Sequence, residues 1–212
     1  IAQDEPGDGE GVNSQILWIT PGPSHYLSVQ SSDILAHRGT SFGVMSDYYR
    51  HPLGLKINGE EHWTIKRVTS LDFDWAVGIA DHFQLGMVLP VVLEQYGQGA
   101  APLYPETDSR SDIEVSSAAV GDIRFHGKTR FFGGVGEDPD ARGFGMAVDV
   151  AFSVPSGDEL NYAGENGVVF APTAIFDFHH HVISAALDTG VRLRSGKLAE
   201  LAYTTVGNQF SA

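Results

Sequence analysis

The chain has 212 residues, 42% of them hydrophobic and 19% charged, which suits one domain with an extensive buried surface and rules out a disordered or collagen-like chain. Lys and Arg number 13 against 27 Asp and Glu, a net charge of -14, and this argues against nucleic acid, whose binding needs a cationic face to displace phosphate counterions. Cysteine is absent, which excludes disulfides, thiolate catalysis and Cys-ligated zinc, and no window of about 18 apolar residues offers a transmembrane helix.

Residues 1–20 read as an acidic, Gly-rich and loosely ordered segment, and residues 21–212 as one β domain. The short apolar run Gln15 to Ile19 is stopped by Pro21-Gly22-Pro23. From Gly39 onward the apolar residues recur with a period of two. Phe42, Val44 and Tyr48 share a parity, then Trp63, Ile65, Leu71, Phe73, Trp75, Val77 and Ile79, then Phe83, Leu85, Met87, Leu89, Val91 and Leu93. Ile123, Phe125 and Phe131 follow, opposed by Asp122, Arg124, His126, Lys128 and Arg130. Phe144 to Val154, Val168 to Phe178 and Ile183 to Leu193 continue the alternation, with a weaker last segment from Leu198 to about Val206. No helical period competes, so the chain is all-β, with eight strands visible.

Two features favour an antiparallel, up-and-down transmembrane barrel over other β architectures. Several segments run to ten or more residues; soluble strands average roughly 5–6, and a tilted membrane strand needs about 9–11. The connections also alternate, imperfectly, since Gly133 to Arg142 is intermediate in length and the connection near Ser195-Gly196 is short where a long one is due. Tyr49 to Glu61, Gly97 to Gly121 and Pro155 to Gly167 are long and polar, whereas Asp81-His82 and His179-His180 read as abrupt turns.

Energetics then set the orientation. A Lys or Arg at the lipid midplane of a barrel costs about 2–4 kcal/mol, so the column Arg124, Lys128 and Arg130 must face the interior. Asp72, Asp74, Asp149, Asp177 and Asp188 fall at inward positions too, and Asp149 is the expected leading partner of the basic column. Phe42, Leu85, Phe125, Phe144, Phe152, Phe170 and Leu187 are the corresponding lipid-facing residues. With eight strands the interior is filled by side chains and the role is structural or anchoring; with 10–12 strands, this chain being a fragment, a narrow passive channel becomes possible. The alternative is a soluble β-sandwich or lipocalin-like protein for a small ligand or sugar, with the apolar parity in a core and the polar parity in water.

Short motifs carry a family likeness. Pro21-Gly22-Pro23-Ser24-His25-Tyr26-Leu27-Ser28-Val29-Gln30 with Ala36-His37-Arg38-Gly39, then Val77 to Gly86 with Leu89-Pro90-Val91-Val92, come first. Gly121-Asp122-Ile123-Arg124, then Val154 to Asp158 with Tyr162-Ala163-Gly164-Glu165, follow in order. Together they resemble the β-barrel domain of certain OmpA-family outer-membrane proteins, from about Pro21 to the C-terminus. The resemblance implies a Gram-negative outer-membrane location and offers no catalytic residues. In that family a peptidoglycan-binding domain usually follows the barrel; these 212 residues have no room for one, a departure that leaves open whether the sequence is a fragment and whether a wall-anchoring role carries over.

The remaining clusters read as structure. His179-His180-His181 is the sole metal-like run, but adjacent side chains on an extended strand point to opposite faces, so it reads as a turn at the periplasmic rim. Asp4, Asp8 and Glu10, and Glu137, Asp138 and Asp140, are acidic clusters without EF-hand spacing; they read as solvated turns, with calcium contact as the alternative and no other cofactor expected. No Gly-x-Ser-x-Gly elbow, His-Glu-x-x-His pair or phosphate-binding loop occurs, so catalysis is not expected. Trp63, Trp75, Tyr48, Tyr96 and Tyr203 read as an interfacial girdle. Glu60, Glu61, Glu106, Asp108, Asp158, Glu159 and Glu165 make the long connections acidic, so the expected partners are membrane lipid and lipopolysaccharide bridged by divalent ions; a periplasmic or homo-oligomeric partner is left open.

Overall fold

The computed structural model describes residues 12–24, 26, 29–57, 60–99, 115, 118–133, 143–159, 161–180, 183–195, 199–201 and 204–211. Among these there is no helix, and the strands are β1 (Thr40–Ile57), β2 (Glu60–Ile79), β3 (Phe83–Tyr96), β4 (Ala119–Val120), β5 (Arg124–Phe132), β6 (Gly143–Ser153), β7 (Val169–His180), β8 (Ile183–Arg194), β9 (Ala199–Leu201), β10 (Thr204–Val206) and β11 (Gln209–Ser211). Eight of them pair antiparallel in the order β1-β2-β3-β5-β6-β7-β8-β11, with β4 attached to β3 and β9-β10 forming a separate hairpin. Among the described residues β1 and β11 do not pair, so the sheet is a curled half-barrel and not the closed barrel expected.

Three expectations about connections change. The stretch Tyr49 to Glu61 is not a long loop: the β1–β2 ladder continues through Arg50↔Arg67, Leu53↔Ile65 and Lys56↔Glu61, leaving only residues 58–59 between the strands. Two register shifts and polar residues on both faces erase the period of two there, while backbone pairing carries on. His179 and His180 belong to β7, and His180 pairs with Ile183 across residues 181–182. The segment Leu198 to Val206 supplies the small hairpin, and the strand that joins β8 is β11, led in by Arg194 N–H donating to Asn208 Oδ1 at 3.1 Å.

The alternation of side chains sends large apolar groups to the convex face, while the concave one carries the charged groups among smaller apolar residues such as Ala76, Val88, Ala147, Ala151 and Ile175. Phe42 (70% exposed), Leu85, Phe125 (37%), Phe144, Phe152, Phe170 and Leu187 all stand exposed on the convex face. Arg124, Lys128, Asp72 and Asp149, at 1%, 2%, 0% and 1% exposed, are buried on the other. Ile65 departs from its expected parity. After the shift opposite Leu53 it joins Val12, Val68, Val92, Ala119, Tyr162 and Ala163 in a small apolar cluster at the long-connection end.

The concave face is filled by the N-terminal segment. Residues 12–20, read as loosely ordered, lie instead against the sheet, and residues 1–11 are outside the described set. Ser14 N–H donates to the Tyr162 carbonyl at the long-connection end (2.8 Å). Gln84 Nε2 donates to the Pro21 carbonyl (2.7 Å) and its Oε1 accepts from Leu35 N–H (3.0 Å). The strap leaves at the opposite end, where His37 braces the β2–β3 turn. Its N–H donates to Asp81 Oδ1 (2.6 Å) and its Nδ1 accepts from Ala80 N–H (3.1 Å). That support holds Ala80 and Asp81 at φ 53° and 57°, the left-handed region that non-glycine residues rarely adopt.

Glycine makes the close approach possible. A Cβ on Gly86 would lie 2.2 Å from Pro21 Cγ, and one on Gly78 would lie 2.2 Å from the Ala36 carbonyl oxygen. Gly86→Val should therefore lift the strap: limited proteolysis should cut within residues 12–38 while the strand region stays protected. Equal protection in variant and wild type would show that the strap adds nothing to the fold.

Candidate functional site

The polar concave face gathers most of the charged residues singled out in the sequence. β5 presents Arg124, His126 and Lys128 on alternate residues, and each meets a different partner. Arg124 Nη2 donates to Asp72 Oδ1 on β2 (3.1 Å), reaching over β3, which requires the sheet to curl. Asp72 Oδ1 also accepts from Gln15 Nε2 of the strap (2.8 Å). The Trp18 ring lies 5.1 Å from the Arg124 guanidinium carbon and 4.2 Å from that of Arg192, two cation–π contacts that tie the strap to β5 and β8.

Asp149, the expected leading partner of the basic column, makes no ion pair with Arg124 among the described residues. It pairs with His126, Nδ1 to Oδ2 at 2.8 Å, and the backbone register sets it opposite Lys128. The Lys128 ammonium donates instead to the Ser31 carbonyl of the strap. Asp177 accepts from Ser32 N–H (2.7 Å) and the Ser32 hydroxyl (2.8 Å), and Asp188 accepts from Gln30 N–H. Asp74 lies against the Gly22 backbone N–H. Arg130 stays out of this network: it reaches the Asp81 carbonyl at 3.4 Å, beside the β2–β3 turn. Among the described residues, the expected strand-to-strand ion-pair lattice is thus one ion pair, one His–Asp pair and a set of carboxylates holding the strap.

Sequence reasoning missed the strap and the pairing of His126 with Asp149, although it set His126 on the inward parity. The strap has no hydrophobic period, and its Ser31, Ser32 and Gln30 are ordinary loop residues until the sheet curls around them. The available signal was a set of glycines at inward strand positions (Gly78, Gly86 and Gly145, which face Ala36, Pro21 and Ser32), since an interior strand Gly marks a close approach of another segment.

The long-connection end has its own ordering device. Asp122, just before β5, accepts from Ser156 N–H (3.0 Å) and Gly157 N–H (2.8 Å) through Oδ1 and from Glu165 N–H (2.8 Å) through Oδ2. Glu165, expected on an exposed acidic rim, is buried and grips Arg194 with both oxygens, at 2.6 and 3.2 Å. Asp158 turns inward on its own loop, accepting from Asn161 Nδ2 at 2.6 Å. Asp122→Ala strands three backbone donors, each costing about 1–3 kcal/mol if left unsatisfied. It should open residues 154–165 to hydrogen exchange before the strands; unchanged protection there would refute the capping role.

The remaining candidates are placed as follows. Tyr48 and Tyr96 are exposed near the Thr69 and Arg67 level of β2, with Lys66 and Arg67 5.8 and 5.4 Å from the Tyr96 ring. Trp75 stands lower on the convex face, opposite Phe42 and Met87, while Trp63 is half-buried and stacks on His51 at 4.3 Å, so neither tryptophan joins the tyrosine level. His179 meets Tyr26 Oη (3.3 Å) and Ser184 Oγ (2.8 Å), and His180 stacks on Phe178. Among the described residues no group of three or more His, Asp or Glu side chains is arranged to hold a metal ion. Asp4, Asp8, Glu10, Glu106, Asp108, Glu137, Asp138, Asp140, His181 and Tyr203 lie outside the described residues. No protein-family model, curated protein or solved structure matches the chain.

Proposed function

We propose that the chain is an integral outer-membrane β-barrel protein, resembling the barrel domain of OmpA-family proteins, with a structural or anchoring role. One observation carries the reading: large apolar side chains stand exposed on the convex face while Arg124, Lys128, Asp72 and Asp149 are buried on the concave one, the reverse of a water-soluble β fold. On β2 the outward parity from Thr69 to Ile79 reads Thr, Leu, Phe, Trp, Val, Ile; on β3 from Phe83 to Leu93 it reads Phe, Leu, Met, Leu, Val, Leu. Neither set contains a charge.

The height of this band fits a bilayer. The ten steps from Thr69 to Ile79 span about 33 Å along the strand at roughly 3.3 Å per residue. Tilted by about 40°, they rise about 25 Å, the height of the apolar band on outer-membrane barrels. The tyrosines and Arg67 mark its upper border, and the Asp81 turn its lower one. A soluble sandwich or lipocalin would bury this parity in a core, whereas here the interior holds Arg124, Lys128, Asp72 and Asp149. The strap across the concave face favours a filled, structural interior over an open pore. Acidic residues at the same end of the sheet as the long connections, Glu60 and Glu61 at the start of β2 among them, suit divalent bridging to lipopolysaccharide.

Flotation tests the reading. Chain refolded with phospholipid vesicles should rise with them through a density gradient and resist extraction by alkaline carbonate. A chain that stays monomeric in buffer and remains at the bottom of the gradient is not a membrane protein.

A further inference from the structure

Between the strap and the inner faces of β5–β8 lies a chamber of about 300 Å³, whose lining includes Trp18, Gln30, His126, Asp149, Asp188 and Arg192. Four of these present buried polar atoms that no described residue satisfies: Gln30 Oε1, His126 Nε2, Asp149 Oδ1 and Asp188 Oδ1. Asp149 is 1% and His126 5% exposed, so neither gains a partner from bulk water. Native proteins leave few such atoms unpaired, and orphans converging on one polar cavity mark an occupant.

The chemistry of the orphans defines that occupant. Three of the four are oxygens that only accept hydrogen bonds, and two belong to carboxylates. Each of those carboxylates already uses its other oxygen, Asp149 on His126 and Asp188 on Gln30 N–H. Nearby, Asp177 adds a third carboxylate, against the single ammonium of Lys128, which spends a hydrogen bond on the Ser31 carbonyl. Arg192 is turned onto Trp18. An acidic excess in a desolvated place must be compensated, because a buried unpaired charge is far costlier than a paired one. The side chains do not converge closely enough to strip and cage a bare metal ion.

We propose that the chamber binds a small monovalent cation, one that keeps part of its hydration shell or is itself a primary ammonium group, held by Asp149, Asp188 and Gln30. The site goes beyond the membrane reading and fails separately from it, since flotation tests one and ion linkage the other. In a barrel it would make the interior a station for cations and hostile to anions.

Ion linkage on the whole chain, refolded in detergent micelles, tests this. Urea unfolding is followed in sodium, caesium or methylammonium chloride, with N-methylglucamine chloride making up constant ionic strength and chloride. A ligand bound only by the folded state multiplies the folding constant about tenfold for each tenfold rise in its concentration above Kd. The wild type should show that rise with small cations, and comparing methylammonium with sodium and caesium separates an ammonium site from an inorganic one. Asp188→Asn and Gln30→Leu should each shift the onset to at least tenfold higher concentration, and their combination should abolish it. Glu94→Gln, which removes an exposed carboxylate, should leave it intact. Folding constants that are the same in every salt mean the chamber holds ordered water only, and a cation dependence that survives the double variant places the ion elsewhere; either result overturns the proposal. Asp149→Asn, which also disturbs His126, serves as a third variant if Asp188→Asn does not fold.

Discussion

Phe152→Arg should lower folding stability in phospholipid vesicles by about 2–4 kcal/mol, the cost of a guanidinium near the midplane of a barrel's lipid face. Phe152 is on the convex face, 41% exposed, opposite Phe125 (ring centroids 5.2 Å apart) and Phe170, in the cross-strand row that runs through Phe125 and Met87 to Trp75, inside the apolar stretch of β2 from Thr69 to Ile79. On a soluble protein the same replacement would put a charge on an exposed site, where substitutions are usually within about 0.5 kcal/mol of neutral. The outcome therefore separates lipid from water as the solvent of this face. Reversible urea unfolding in vesicles measures it, with Ser195→Arg as the control, since Ser195 is exposed beyond the end of β8. Equal stabilities for the two variants would remove the lipid-facing assignment.

Arg124→Met should destabilise the chain by about 3–5 kcal/mol, because Asp72 would be left buried without its countercharge. The double replacement Arg124→Met with Asp72→Leu should recover most of that loss: apolar groups of similar volume often match or exceed a buried ion pair. The pair also reports on the interior. In a wet lumen the ions are screened and the single replacement falls below about 1 kcal/mol. A large single loss with recovery in the double variant indicates a dry, filled interior and a structural protein; a small loss with measurable ion conductance in a planar bilayer indicates a channel. Unfolding midpoints in detergent for the two single variants and the double give the coupling energy directly.

The two predictions rest on different kinds of knowledge. That Phe152 and Arg124 point to opposite faces is legible in the residues, because side chains alternate along a strand and a column of Arg, His and Lys cannot share a face with Phe-rich neighbours in lipid. Which carboxylate answers Arg124 is not legible. Asp149 is on the neighbouring strand in the pleated sheet and Asp72 is two strands away, yet the curl brings Asp72 to 3.1 Å and leaves Asp149 to His126. Where the alternation fails, at the polar upper hairpin of β1 and β2 and at Ile65, it does so beside register shifts, which no period of two anticipates.

The sequence by itself determined the all-β class, the antiparallel strand run and the outward side of the large apolar residues, with the charges of β2, β5, β6, β7 and β8 opposite, because period-two alternation is local and survives without tertiary information. Tertiary structure alone decided that the sheet stops as a half-barrel among the described residues, and that the described residues between 12 and 35 lie on its concave side. It also decided that Asp122 orders a connection more than thirty residues away in sequence. These arrangements depend on curvature, and on pairing buried donors and acceptors between segments far apart in the chain. A carboxylate such as Asp177 carries no mark of its partner until the backbone of Ser32 is brought to 2.7 Å from it.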